Sequence, residues 1–154
     1  MRKINFEITI DASCELVWEA IETDYKYRLW ASAFQEGSYF EGGWYKGDTI
    51  RFIAINKDGE KEGMVSEIAE RNYPNYISIK HLGYIAHGVD DTTSDEIRKW
   101  APAFENYTLE KLQVNQTLFK IEMDVTDDYY EMFLTLWPKA LTRLKEVSEL
   151  DNAK

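Results

Sequence analysis

Residues 127–150 read DDYYEMFLTLWPKALTRLKEVSEL, and this stretch decides how the rest of the chain must fold. Tyr130, Phe133, Leu134, Trp137, Leu141 and Leu144 recur at offsets of three, four, seven, eleven and fourteen. That spacing predicts one apolar stripe on a helix of about six turns, at roughly 3.6 residues per turn. Asp127 and Asp128 stand where carboxylates suit the positive end of a helix. Lys139, Arg143 and Lys145 occupy the later turns and the wet side. Pro138 has no N–H for the carbonyl four residues back, so a bend is expected near Leu134–Pro138. A stripe with large aromatics needs a wide, concave surface to pack on.

Strands supply that surface. Ile4, Phe6, Ile8 and Ile10 alternate with polar residues, which predicts a half-buried first strand. Ser13 is the expected N-cap of a short helix over Glu15–Ile21, and a second short helix is expected over Tyr25–Ala33. Strand and turn follow. Gly42-Gly43 and Gly47-Asp48 are turn signals, Thr49–Ile55 is a strand, and Asn56–Gly59 is a hairpin turn. Glu62–Ala69 is the returning strand, and Tyr76–Leu82 the next, with Ile77, Ile79 and His81 on one face. Ala86–Ala103 is expected to be a long polar loop with a helical turn near Ser94–Trp100. Asn106–Val114 and Thr117–Val125 form a hairpin about Asn115-Gln116. In the last strand Phe119, Ile121, Met123 and Val125 point one way and Lys120, Glu122 and Asp124 the other. One dry and one wet face is the mark of an antiparallel sheet covered on a single side.

The order is strand, two short helices, five or six antiparallel strands, then one long helix. A one-sided sheet and one amphipathic helix satisfy each other by stacking. The expected fold class is therefore α+β with the helix-grip arrangement: a curved antiparallel sheet around a long C-terminal helix. With 154 residues and no linker rich in Pro or Gly, one domain over residues 1–154 is expected.

Composition narrows the partners. The net charge of −10 repels phosphate backbones and anionic lipid, so neither nucleic acid nor a membrane surface is an expected partner. One cysteine, Cys14, cannot form an internal disulfide, and the N-terminus has no continuous apolar signal region. A cytoplasmic location is expected. Hydrophobic residues make up 44 % of the chain, with 5 Trp, 10 Tyr and 7 Phe, which fits either a large core or an aromatic-lined cavity.

Candidate chemistry is sparse. Cys14 at a helix start has no accompanying base and reads as structural. His81 and His87, if on one extended strand, would be about 20 Å apart at roughly 3.3 Å per residue. Asp90, Asp91, Asp95 and Glu96 match no calcium loop. No metal, no cofactor and no catalytic residue is therefore expected. His81 is read as the ionisable side chain placed among Ile77, Ile79 and the stripe: a satisfied core histidine, or a polar group aimed into a cavity.

Several motifs carry a resemblance. Ile8-Thr9-Ile10-Asp11-Ala12, then Val17-Trp18-Glu19-Ala20, then Trp30 resembles the opening of START-like (SRPBCC) proteins. Gly43-Trp44-Tyr45-Lys46-Gly47-Asp48, Gly63-Met64-Val65-Ser66-Glu67-Ile68, Asn106-Tyr107-Thr108-Leu109 and the ending Trp137–Lys145 resemble the group named after the activator of the heat-shock-protein-90 ATPase, in its small bacterial form. The superfamily includes lipid carriers, hormone-binding proteins, aromatases, cyclases and co-chaperone domains, so the resemblance implies fold and not activity. The co-chaperones carry an additional N-terminal domain, and this chain starts at its first strand, which lowers a chaperone role.

The resemblance and the apolar facing surfaces together imply a cavity between the last helix and the sheet. The expected lining is Trp30, Phe52, Ile79, His81, Tyr107, Phe119, Phe133 and Trp137. Trp30 is expected near the mouth, and His81 or Tyr107 is expected to anchor a polar head. Binding of a small hydrophobic or amphipathic ligand without catalysis is placed first. A cyclase or aromatase acting on such a ligand is second, and a protein-interaction module linked to chaperone ATPase activation third. A homodimer is left open.

Overall fold

A computed structural model describes residues 1–152; residues 153–154, included in the expected domain, lie outside it. The chain runs β1 (Arg2–Ile10), α1 (Cys14–Glu22), α2 (Asp24–Ala31), β2 (Tyr39–Gly42), β3 (Thr49–Ile55), β4 (Lys61–Asn72), β5 (Tyr76–Ala86), β6 (Val89–Asp91), α3 (Asp95–Arg98), β7 (Ala103–Gln113), β8 (Gln116–Val125) and α4 (Asp127–Asn152). The strands form one curved antiparallel sheet in the order β1-β8-β7-β5-β4-β3-β2, with β6 added to β5. This is the helix-grip α+β fold.

The register explains which residues face α4. Ile4 stands opposite Met123, Met123 opposite Glu105, Glu105 opposite Ile79, and Ile79 opposite Ile68. The next row runs Phe6, Ile121, Tyr107, Ile77. Both rows lie on the inner face. One row the other way, Ala103 pairs with His81, His81 with Ser66, and Ser66 with Ile50. A bulge then intervenes, because Val65 pairs with Gly83 while Ser66 pairs with His81. The extra residue reverses the alternation of β5, so Tyr84 pairs with Met64 while Ile85 joins Ile53 and Val65 in a separate small cluster.

α4 packs against β1, α1 and α2. Its buried side chains are Trp137, Ala140, Leu141, Leu144, Val147 and Ser148, spaced for one helix face. Tyr130 and Phe133 are only partly buried against the core, and Leu134 is 37 % exposed. The expected stripe therefore needs correction at Leu134. It sits about 100° round the helix from Phe133, beyond the edge of the face that Trp137 and Leu141 define. The helix is continuous through Pro138.

The short helices close the sheet at one end. Ser13 caps α1, accepting from the Leu16 N–H at 3.2 Å. Trp30 Nε1 donates to the Ala20 carbonyl at 2.9 Å and so ties α2 to α1. The expected loop over 86–103 is also corrected. Its first part returns as β6, paired with β5 from Tyr84 to Ala86, while the helical turn expected near Ser94–Trp100 is helix α3, capped by Ser94. Gly83 makes this return feasible, since any Cβ there would meet the Asp91 carbonyl oxygen at 2.0 Å. The turn between β7 and β8 falls at Val114-Asn115, one residue earlier than expected.

Candidate functional site

The inner sheet face is mostly apolar, and His81 is the centre of a hydrogen-bonded polar set on it. His81 Nδ1 lies 2.7 Å from Ser66 Oγ, and His81 Nε2 lies 3.0 Å from Glu105 Oε1. The Tyr107 hydroxyl donates to Glu105 Oε2. An ionised carboxylate can only accept, so Nε2 carries the proton of its bond to Glu105, and in the tautomer with its one proton there Nδ1 accepts from the Ser66 hydroxyl. The four side chains thus form one chain of bonds. Ser66 is fully buried and His81 is 5 % exposed.

The geometry follows from the register. Ser66 and His81 are direct cross-strand neighbours, while Glu105 is two residues along β7 from the partner of His81. Such a diagonal neighbour is within reach of a long side chain. Tyr107 comes two residues later on the same face, so its hydroxyl and the imidazole reach one carboxylate from two sides. Burial raises the Tyr107 phenol well above its usual range, and the Glu105 charge adds to the effect.

Aromatic side chains surround these groups. Phe52 is 6.1 Å from His81 and 6.1 Å from Tyr27 between ring centres. Trp137 lies 6.5 Å from Trp30, 4.8 Å from Phe34 and 6.2 Å from Tyr107, and Phe119 lies 5.4 Å from Tyr107. Trp137 Nε1 donates to Met123 Sδ at 3.0 Å. The polar chain is therefore framed by rings from α2, β3, β7, β8 and α4.

Each expected lining residue can now be placed. Ile79, Tyr107, Phe119 and Trp137 meet in the core cluster, with Phe52 and Phe133 partly buried at its margin. Trp30 is inside this cluster and not at a mouth, because its indole is bonded to α1. His81 is on the inner face, but both its ring nitrogens already have partners. The expectation that His81 is the ionisable group on that face is corrected, since Glu105 shares it. Reading β7 from Asn106 left Glu105 out; its parity with Tyr107 and Leu109 is the signal that finds it. Ser66 shares its face with Ile68 and carries the same signal. His87 is remote, exposed and beside Glu60 at 3.2 Å.

Two depressions open elsewhere on the surface. One of about 490 Å³ lies over Asn5, Glu7, Tyr76, Asn106, Thr108 and Lys120 on the outer sheet face. The other, of about 430 Å³, lies beside α1 and is lined by Leu16, Trp18, Glu22, Arg71 and Tyr73. None of the eight expected residues lines either. Cys14 is buried, its Sγ 3.4 Å from Thr117 Oγ1, whose hydroxyl donates to the Ala12 carbonyl at 2.7 Å.

No family model matches the chain, and no curated protein matches it. Solved structures do. The Aha1 dimer from Colwellia psychrerythraea is 22 % identical, with a TM-score of 0.70 and 97 % of each chain covered. The AHSA1-like protein from Aeromonas hydrophila is 15 % identical, with a TM-score of 0.73, covering 99 % of this chain and 96 % of that one. DynU16, a putative protein in the dynemicin biosynthetic locus, is 13 % identical with a TM-score of 0.67; 96 % of this chain covers 47 % of that one. At these identities the likeness is one of fold.

Proposed function

From the AHSA1-like, START-like fold of the chain, we propose that it binds a small hydrophobic or amphipathic ligand, acting as one domain and without catalysis. The ligand lies between α4 and the inner sheet face, against Phe52, Phe133, Trp137 and Trp30, with Ile79 and Phe119 beneath. Tyr107 and His81 contribute through the carboxylate of Glu105. The observation that carries this reading is the polar chain Ser66–His81–Glu105–Tyr107 set among buried rings, with Phe52 and Phe133 partly buried at the margin. Small-molecule sites combine apolar walls with a few fixed polar groups in the same way. An all-apolar interior would fold at lower electrostatic cost, since a buried carboxyl must be compensated.

Native mass spectrometry of protein purified from its own cells tests this. A retained small molecule that is lost from a Phe133→Asp variant is the expected result. Bare protein, with no uptake of added apolar compounds, refutes it.

The His81–Glu105 pair favours a second reading, a cyclase or aromatase, because a histidine beside a carboxylate can pass a proton. The neighbour from a biosynthetic locus is in keeping with it. Ser66 is sealed, so any such enzyme would use acid–base chemistry and not a serine nucleophile. Turnover of a bound ligand that Glu105→Gln abolishes would put this reading first. The neighbour described as a dimer supports a homodimer, which sedimentation velocity tests. No described helix is long and apolar enough to cross a membrane. The lone buried thiol suits a reducing cytoplasm.

A further inference from the structure

Outside the inner site, one set of surface side chains is held in a fixed arrangement. Arg71, near the end of β4, donates from Nε and Nη2 to the two carboxylate oxygens of Glu22 at 3.0 and 3.1 Å. Its guanidinium also lies 5.2 Å from the Trp18 ring centre, 4.6 Å from that of Tyr45 and 5.9 Å from that of Tyr73. The two-point ion pair and the rings fix the orientation of the group, while Nη1 donates to no described residue. Trp18 and Tyr73 meet edge to face at 5.3 Å. These two rings, Leu16 and Arg71 line the depression of about 430 Å³ beside α1 together with Glu15, Glu19 and Glu22. At about 100° per residue, Glu22, Glu15 and Glu19 follow Trp18 round the helix, so the three carboxylates stand on one side of its indole. Glu22 holds Arg71 and Glu19 is 3.1 Å from Lys26, but the exposed Glu15 has no partner among the described residues.

We propose that this depression docks a basic peptide segment of a partner protein, with a large apolar side chain against Leu16, Trp18 and Tyr73 and a lysine or arginine at Glu15 and Glu19. The site is separate from the inner one and does not depend on the ligand-binding reading above. Three carboxylates to one guanidinium give the lining a negative sign, and the chain as a whole, at −10, attracts the same kind of partner. Trp, Tyr and Arg side by side are the residue types that dominate binding energy at protein interfaces. A peptide also brings backbone carbonyls, which are neutral acceptors for the unused Nη1. An acidic segment would instead meet Glu15 and Glu19 as like charges.

The test titrates the isotope-labelled full chain with four blocked peptides, GKKLKKG, GKKGKKG, GSSLSSG and GEELEEG, and follows the Trp18 indole N–H and the backbone amides by NMR. GKKLKKG should shift the Trp18 indole and the Tyr73 amide, and should bind about tenfold tighter than GKKGKKG, which lacks the side chain that the depression buries. The surface double variant Glu15→Gln, Glu19→Gln should weaken GKKLKKG about fivefold and leave GSSLSSG unchanged. GEELEEG should bind most weakly. Tightest binding by GEELEEG, equal binding of GKKLKKG and GKKGKKG, no effect of the double variant, or shifts that bypass Trp18 and Tyr73 would each overturn the proposal. So would an absence of binding by all four peptides. None of these results touches the inner site, which is read by the retained small molecule.

Discussion

His81 Nε2 sits 3.0 Å from Glu105 Oε1, with both side chains on the sheet face that α4 covers. The pair spans β5 and β7 and joins Ser66 to Tyr107, making one chain of four side chains. Low local dielectric strengthens each of these bonds and also raises the cost of breaking one. The interior of the protein is therefore sensitive at this polar set within a mostly apolar layer.

That sensitivity gives the first prediction. His81→Phe leaves Ser66 and one Glu105 oxygen without partners, and should cost about 2–4 kcal/mol in urea unfolding. Glu105→Gln should cost less alone, and the two should couple by at least about 1 kcal/mol in a double-mutant cycle. Simple additivity would show that the two groups do not depend on each other.

Trp137 is the central packing residue of α4, at 2 % exposure between Trp30, Phe34 and Tyr107. Trp137→Ala should cost about 3–5 kcal/mol, the range for a large buried aromatic. Leu134→Ala, on the exposed flank, should cost below about 1 kcal/mol. Similar losses at both sites would mean that α4 is rotated from the orientation described.

Alkaline pH should destabilise the fold. The Tyr27 and Tyr107 phenols are raised, by burial first and then by Glu105, and Tyr84 is pushed up to about 12, chiefly by burial. In the unfolded chain all three lose their protons near pH ~10, earlier than in the fold. Above that pH the unfolded state binds fewer protons, so stability falls as pH rises and is fully present below it. Unfolding free energies measured from about pH 9 to about pH 11 should decline, and Tyr27→Phe should flatten the slope. A slope unchanged by that substitution would count against a buried phenol at Tyr27.

Gly83→Ala tests the return of β6. The added methyl would collide with the Asp91 carbonyl, where β6 lies against β5. The expected loss is about 1–3 kcal/mol, with faster amide exchange in β6 and α3 than in β8. Uniform exchange changes across the sheet would instead place the strain elsewhere.

The sequence by itself determined the frame. The 127–150 periodicity, the alternation of β1 and β8, the Asn56–Gly59 turn and the Ser13 cap are local patterns, and local backbone geometry is enough to read them. They also placed Ile79, Tyr107, Phe119 and Trp137 on facing surfaces. Tertiary structure decided what those surfaces do to one another. The bulge opposite Val65 and Ser66 is set by the pairing of β4 with β5, and it is what brings Tyr84, and not Ile85, to the face of Ile77, Ile79 and His81. Glu105 meets His81 only because β7 pairs with β5 in this register. The inward place of Trp30 comes from a bond to α1, and the exposure of Leu134 from the angle at which α4 lies on β1, α1 and α2. Periodicity names the face a residue takes, but partners across that face are set by packing between segments far apart in the chain.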